Sequence, residues 1–152
     1  MTEQSHTGNG FFASASYINN VGAITPDNWL ITPAVNLTGE ATLSFWVAGL
    51  DASYSEENFT VYISTNGYND FSSALVSSTS TSVYTQYTVD LSAYAGQTVY
   101  IAFRHHNTFD MYWLALDDVE IYTYSTGGST GGGTPGENGN PDNIVDGEYG
   151  AP

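Results

Sequence analysis

The sequence contains no cysteine, which excludes disulfide staples, thiolate metal sites and cysteine nucleophiles together. A chain of 152 residues without bridges must be held by a packed core, and its length suffices for one domain of ordinary size. Cationic side chains are nearly as scarce. Arg104 is the single Lys or Arg against 16 Asp and Glu, giving a formal net charge of −15. Phosphate binding draws on Lys and Arg, so nucleic acid is excluded as a partner, and anionic membrane surfaces are excluded on the same ground. No apolar run approaches membrane-spanning length, and Met1 to His6 has neither a basic n-region nor an apolar h-region. We therefore read the chain as a piece of a longer, exported protein with no membrane insertion in this segment. Also missing are a G-x-S-x-G nucleophile elbow, a phosphate-cradling glycine loop and any sustained helical period. Acidity alone does nothing to suggest a glycosidase carboxylate pair, so no enzyme is expected.

What remains is rich in Ser, Thr, Asn, Gly and Tyr, the composition of a surface-displayed β protein. Residues 1–10 are polar and read as a disordered, truncated start of the domain. Phe11 to Ile18 reads as a short strand, Asn19, Asn20 and Gly22 as turn chemistry, and Thr25 to Asn28 as a second turn. Trp29 to Thr32 is a strand halted by Pro33, and Ala34 to Leu37 continues as an edge or crossover. In Ala41 to Gly49, Leu43, Phe45 and Val47 share one face and leave Trp46 on the more polar one. An acidic loop, Asp51 to Asn58, leads into Phe59, Val61 and Ile63 alternating with Thr60, Tyr62 and Ser64. Val76 to Ser82 is a Ser/Thr tract, either loop or exposed strand. Strands follow over Val83 to Leu91 and Val99 to Arg104. The pattern predicts roughly seven or eight strands spaced by turns, an all-β sandwich or barrel with a jelly roll preferred. From Ser125 to Pro152 the chain is Gly/Pro-rich and too poor in apolar residues to fold, a flexible linker or tail after a domain over 11–124.

The last apolar stretch, Tyr112 to Tyr122, carries Asp117 and Asp118 side by side. Neighbouring strand residues point to opposite faces, so one carboxylate is aimed inward or lies at a bend. An inward carboxylate needs a cation or a set of donors. A hard metal ion such as calcium would supply the first, while a bulge with both groups solvated would need neither. His105 and His106 point to opposite faces and cannot easily share a zinc ion, leaving His105 as a packed or hydrogen-bonded residue. As the single guanidinium, Arg104 is expected to pair with a carboxylate on its own sheet face, with contact to an anionic ligand as the lesser alternative. Trp46, Tyr54, Tyr62, Tyr84 and Tyr100 fall on the polar faces, where rings either stack on sugars or pack under a second sheet. Asn36 and Asn58 open glycosylation sequons, a pattern common by chance.

Several separated blocks carry a resemblance. Thr25-Pro26-Asp27-Asn28-Trp29-Leu30-Ile31-Thr32-Pro33-Ala34, Leu43 to Ala48, the acidic loop with Tyr54 and Glu56, Val61 to Thr65, Ala102-Phe103-Arg104-His105 and Leu116-Asp117-Asp118-Val119 stand in the order and spacing of the cleaved adhesin domains. These domains, also described as choice-of-anchor modules, repeat in haemagglutinin and gingipain adhesin regions of Bacteroidetes. The resemblance spans roughly Gly10 to Tyr122. It implies a jelly-roll β-sandwich of two antiparallel sheets with structural Ca2+, secreted or held at the outer-membrane surface. Such a module would adhere to a host protein, matrix or glycan and would not catalyse. By the same resemblance Asp117 and Asp118 would hold the metal with Asp51 and Glu56 of the acidic loop, although acidic loop residues are ordinarily solvated. The family's opening strand and the loop after it have no counterpart before Phe11. A carbohydrate-binding module using Trp46, Tyr54, Tyr62, Tyr100 and Arg104 is the alternative; a row of exposed Tyr and Trp would favour it, and buried aromatics the plain adhesive.

Overall fold

The computed structural model describes residues 4–125. The Gly/Pro-rich tail lies outside the described residues from position 126 onward. Eleven strands follow in order: β1 Phe12–Ala15, β2 Tyr17–Ile18, β3 Gly22–Ala23, β4 Asn28–Ile31, β5 Val35–Asn36, β6 Gly39–Gly49, β7 Asn58–Ser64, β8 Ser73–Thr79, β9 Thr85–Asp90, β10 Thr98–His105 and β11 Trp113–Ser125. A single 3-10 turn, Ser92–Tyr94, is the one helical element among the described residues. The first sheet has the order β1-β11-β6-β9, the second β4-β10-β7-β8 with β5 on the start of β10, and β2-β3 form a small hairpin. Every pairing is antiparallel, and the two sheets face each other as a jelly-roll sandwich.

Alternation builds the core. Leu43, Phe45 and Val47 of β6 and Leu114, Leu116, Val119 and Ile121 of β11 are buried from one side, and Phe59, Val61, Ile63, Val99, Ile101 and Phe103 of β7 and β10 from the other. Phe45 joins the layers: its ring stacks on Tyr87 at 5.3 Å and meets Phe103 edge-on at 5.2 Å. At one side of the sandwich a 3.0 Å hydrogen bond between Ser78 and Tyr87 ties β8 to β9. At the other side β1 and β4 remain apart over a cavity of about 210 Å3 lined by Phe12, Leu30, Phe59, Phe103 and Leu114.

Three details depart from the sequence reading. Phe11 to Ile18 is two strands, because at Ser16 the backbone N–H turns to the Tyr112 carbonyl at 2.9 Å and the hydroxyl to Glu57 at 2.9 Å. The Ser/Thr tract contributes to a full strand, β8, whose half-buried Leu75 and Val76 pack on the core while its serines face outward. Gln4 to Gly10, read as disordered, lies across the first sheet with backbone and side-chain contacts described below.

Candidate ligand-binding surface

On the second sheet the residues facing away from the core form an aromatic layer. Trp29 of β4 lies opposite Arg104 of β10, and Tyr62 of β7 opposite Ala102. The short Ala102 side chain lets the Trp29 and Tyr62 rings meet above it, with centroids 5.3 Å apart and planes at 24°. Phe71 leans on Trp29 at 6.1 Å, and Tyr68 meets Tyr100 edge-on at 4.8 Å. Trp29 keeps 40% and Tyr68 59% of its surface exposed, so the layer is open to solvent.

Arg104 organises the edge of this layer. Its guanidinium lies 4.7 Å from the centre of the Trp29 ring and grips Asp27 through Nε at 2.7 Å and Nη2 at 3.1 Å. The Trp29 indole N–H donates to the same Asp27 at 2.9 Å. The Arg104 hydrogen bond, ahead of its charge, holds the Asp27 carboxyl below the usual carboxylate range, and Asp27 and then Tyr62 keep Arg104 more firmly protonated. Beyond the pair is a shallow hollow of about 430 Å3, with Asp27, Arg104 and His106 at its floor and Phe109 at its rim. Burial first and Arg104 second depress the His106 pKa, so the ring is uncharged at neutral pH, bonded to Thr60 at 2.8 Å. Asn107 and Asp110 both adopt left-handed backbone, φ 52 and 56, a conformation Asn and Asp tolerate better than most residues. Between them Phe109 is held out with 60% of its surface exposed.

Of the aromatics singled out in the sequence, Tyr62 and Tyr100 join Arg104 on this face. Tyr54 is exposed on the acidic loop, and Trp46 faces outward from the other sheet. Trp29, Asp27, Tyr68, Phe71 and Phe109 were missed. The usable signal was the lone guanidinium, which had to have a carboxylate partner. Asp27 stands 77 positions away, a separation no local pattern reveals.

The Asp117–Asp118 pair sits on the outer face of the first sheet. Asp117 is paired with Trp46 and Glu120 with Ser44, so β11 carries one extra residue between them. Asp118 takes up that residue with φ 47. The bulge keeps Leu116 and Val119 both in the core and brings both carboxylates to one side. Over them lies Gln4 to Thr7. The backbone N–H groups of His6 and Thr7 donate to Asp117 Oδ2 at 2.7 and 3.2 Å, and the Asp118 N–H donates to Asp117 Oδ1 at 2.8 Å. His6 Nδ1 meets Asp118 Oδ2 at 2.6 Å, and the Thr7 hydroxyl donates to Asp118 Oδ1 at 2.5 Å. The His6 ring lies flat on Trp46 at 3.8 Å and tilted to Tyr84 at 5.3 Å. Burial, then the charges of Asp117 and Asp118, push the Tyr84 phenol pKa well up.

Calcium takes about six to eight oxygen ligands. Here each carboxylate oxygen of the pair already has a partner from the protein. Asp51 lies beyond the end of β6, on the order of 15 Å from Trp46 along the strand direction, and its Oδ1 accepts from the Ser53 and Tyr54 N–H groups. Glu56 is exposed beside Asn58 and Thr79. Among the described residues no group of three or more His, Asp or Glu side chains stands close enough to hold a metal ion. The residues present do not compose a calcium sphere.

A third cluster is interior. Glu57 and His105 are 0% and 3% exposed. His105 Nε2 meets Glu57 Oε2 at 2.8 Å, and its Nδ1 meets the Ser14 hydroxyl at 2.6 Å. Glu57 Oε1 accepts from Ser16 Oγ at 2.9 Å and from the Tyr112 N–H at 2.8 Å. The cluster ties β1, the acidic loop, β10 and the approach to β11.

The Cleaved Adhesin Domain family matches residues 1–121. Gingipain R1 of Porphyromonas gingivalis is 36% identical over 158 aligned positions, which take in 87% of this chain and 9% of that protein. Hemagglutinin A of the same species is 38% identical over 139 positions, 74% of this chain and 6% of its own length. The chain thus spans less than a tenth of these relatives. Among solved structures, the K1 cleaved adhesin domain of Lys-gingipain from P. gingivalis W83 superposes with a TM-score of 0.70 at 40% identity, covering 78% of this chain and 76% of that one.

Proposed function

The chain belongs to the cleaved adhesin family, and from that premise we propose that it is a non-catalytic adhesion module of a longer secreted or surface-held protein, binding neutral glycan through the outer face of its second sheet. The observation that carries this reading is the arrangement of Trp29, Tyr62, Arg104 and Asp27. Exposed rings offer apolar ground for the C–H face of a sugar ring. Beside them a bidentate Arg–carboxylate pair presents fixed donors and acceptors of the kind that adjacent hydroxyls can engage. Holding that pair together before a ligand arrives lowers the ordering cost of binding. The formal charge of −15 disfavours sialylated or sulfated chains by like-charge repulsion, which is why the proposed ligand is neutral. The hollow at Phe109 extends the same surface and suits a second sugar unit or the peptide that carries it.

The first test is a glycan array with the wild-type chain, followed by titration calorimetry on any hit. Trp29→Ala is expected to weaken binding about thirtyfold or more, the loss typical of a central aromatic anchor. Tyr54→Ala, remote from this face, should leave it unchanged. If no neutral glycan binds, or if Trp29→Ala binds as wild type does, the sugar-binding face is refuted. Adhesion to immobilised protein that survives Trp29→Ala would instead favour a plain protein-binding adhesin.

A further inference from the structure

We propose that Gln4 to Thr7 is an internal ligand of the Asp117–Asp118 pair, a strap that satisfies both carboxylates from the chain's own donors and keeps a divalent cation out until it is displaced. Two adjacent carboxylates on one face of a strand repel each other and need compensation. Arg104 cannot provide it, because its guanidinium is engaged with Asp27 on the other sheet. Two consecutive strap residues supply four of the five contacts to the pair, two from backbone N–H groups and two from side chains. The fifth is the bulge's own N–H.

The seat fits its occupant beyond these bonds. Trp46 lies parallel to the His6 ring within 17°, and Tyr84 donates its phenol O–H to the Gln4 carbonyl at 2.6 Å, fixing the start of the strap. A hard cation at the pair would need the same carboxylate oxygens, so strap and ion are mutually exclusive ligands. By linkage, whatever weakens one strengthens the apparent affinity of the other. Displacement would also uncover Trp46 and Tyr84, a second aromatic surface on the sheet opposite the proposed glycan face. The inference does not depend on the glycan reading, and its readouts involve no sugar.

The experiment uses the full chain with terbium, a luminescent calcium substitute sensitised through a nearby indole, alongside thermal unfolding in calcium and in chelator. Wild type is expected to bind terbium weakly and to melt at the same temperature in both solutions. His6→Ala with Thr7→Ala should bind terbium at least tenfold more tightly, and calcium should raise its melting temperature. Thr7→Val alone, which keeps both backbone donors and the His6 stack, should give a smaller gain of the same sign. Adding Asp117→Asn and Asp118→Asn should abolish the terbium signal of the strap variant and so place the ion at the pair. Terbium affinity equal in wild type and both strap variants, whether strong or absent, overturns the proposal. So does a calcium-dependent melting temperature in wild type.

Discussion

Glu57→Ala is expected to destabilise the domain by about 3–5 kcal/mol, measured as a fall in the midpoint of urea unfolding with an unchanged slope. The size follows from what the substitution strands. His105 Nε2, the Ser16 hydroxyl and the Tyr112 N–H all bond to this one carboxylate, in a place where Glu57 itself is 0% exposed. Removing the acceptor leaves three donors without a partner where water has little access. Glu57→Gln separates the possible causes. It retains an oxygen for Ser16 and Tyr112 and disturbs only the contact with His105, so its cost should be clearly smaller. Equal losses in the two variants would mean that the pairing with His105, not the count of stranded donors, dominates. A loss below about 1 kcal/mol for Glu57→Ala would show that the cluster relaxes or is hydrated, contrary to its enclosure.

Gly49→Ala should cost about 3 kcal/mol or more, at the upper end of what overpacking does. A Cβ on Gly49 would stand 2.2 Å from the Ser55 carbonyl oxygen and 2.6 Å from its Cα. Both are backbone atoms, so no side-chain rotation relieves the clash. Ser55 cannot retreat freely, because its carbonyl accepts from the Glu57 N–H at 3.0 Å and from the Ser80 hydroxyl at 2.6 Å. The close approach of β6 to the acidic loop therefore helps to deliver Glu57 to His105. Gly49→Ala and Glu57→Ala should for that reason fall short of additivity, since the first already disturbs what the second removes. Calorimetric unfolding of the single and double variants measures both quantities. A wild-type melting temperature for Gly49→Ala would sink the argument.

The strands that could be read in the sequence were those with one wet face. β6, β7 and β10 alternate strictly because each packs one side on the core, and the period of two follows from that. β8 did not stand out, since a run of serines and threonines carries little hydrophobic contrast although Leu75 and Val76 do reach the core. The conflict at Asp117 and Asp118 was visible as a choice between an inward carboxylate and a bend, and the structure has the bend. What compensates the pair was not visible. Residues 1–10 have the composition of a loose end, and nothing local indicates that a histidine will lie flat on Trp46. Glu57 was grouped with a solvated acidic loop because burial of a carboxylate depends on partners brought from β1, β10 and Tyr112. His105 was read as a packed or hydrogen-bonded residue, and its partners on Ser14 and Glu57 are now specified.

The position of Arg104 also bears on survival in a proteolytic environment. Enzymes that cut after basic side chains find a single scissile bond in the entire chain, the one between Arg104 and His105. That bond lies near the end of β10, whose residues 102–105 are flanked by β4 on one side and β7 on the other. The side chain that such an enzyme must draw into its specificity pocket is held by Asp27 and covered by Trp29. Cleavage requires an extended, unpaired segment, so β10 must leave the sheet before it can be cut, and the rate of that opening tracks stability. The scarcity of basic residues and the clamp on the last of them together make digestion by such enzymes a matter of unfolding rather than of surface access.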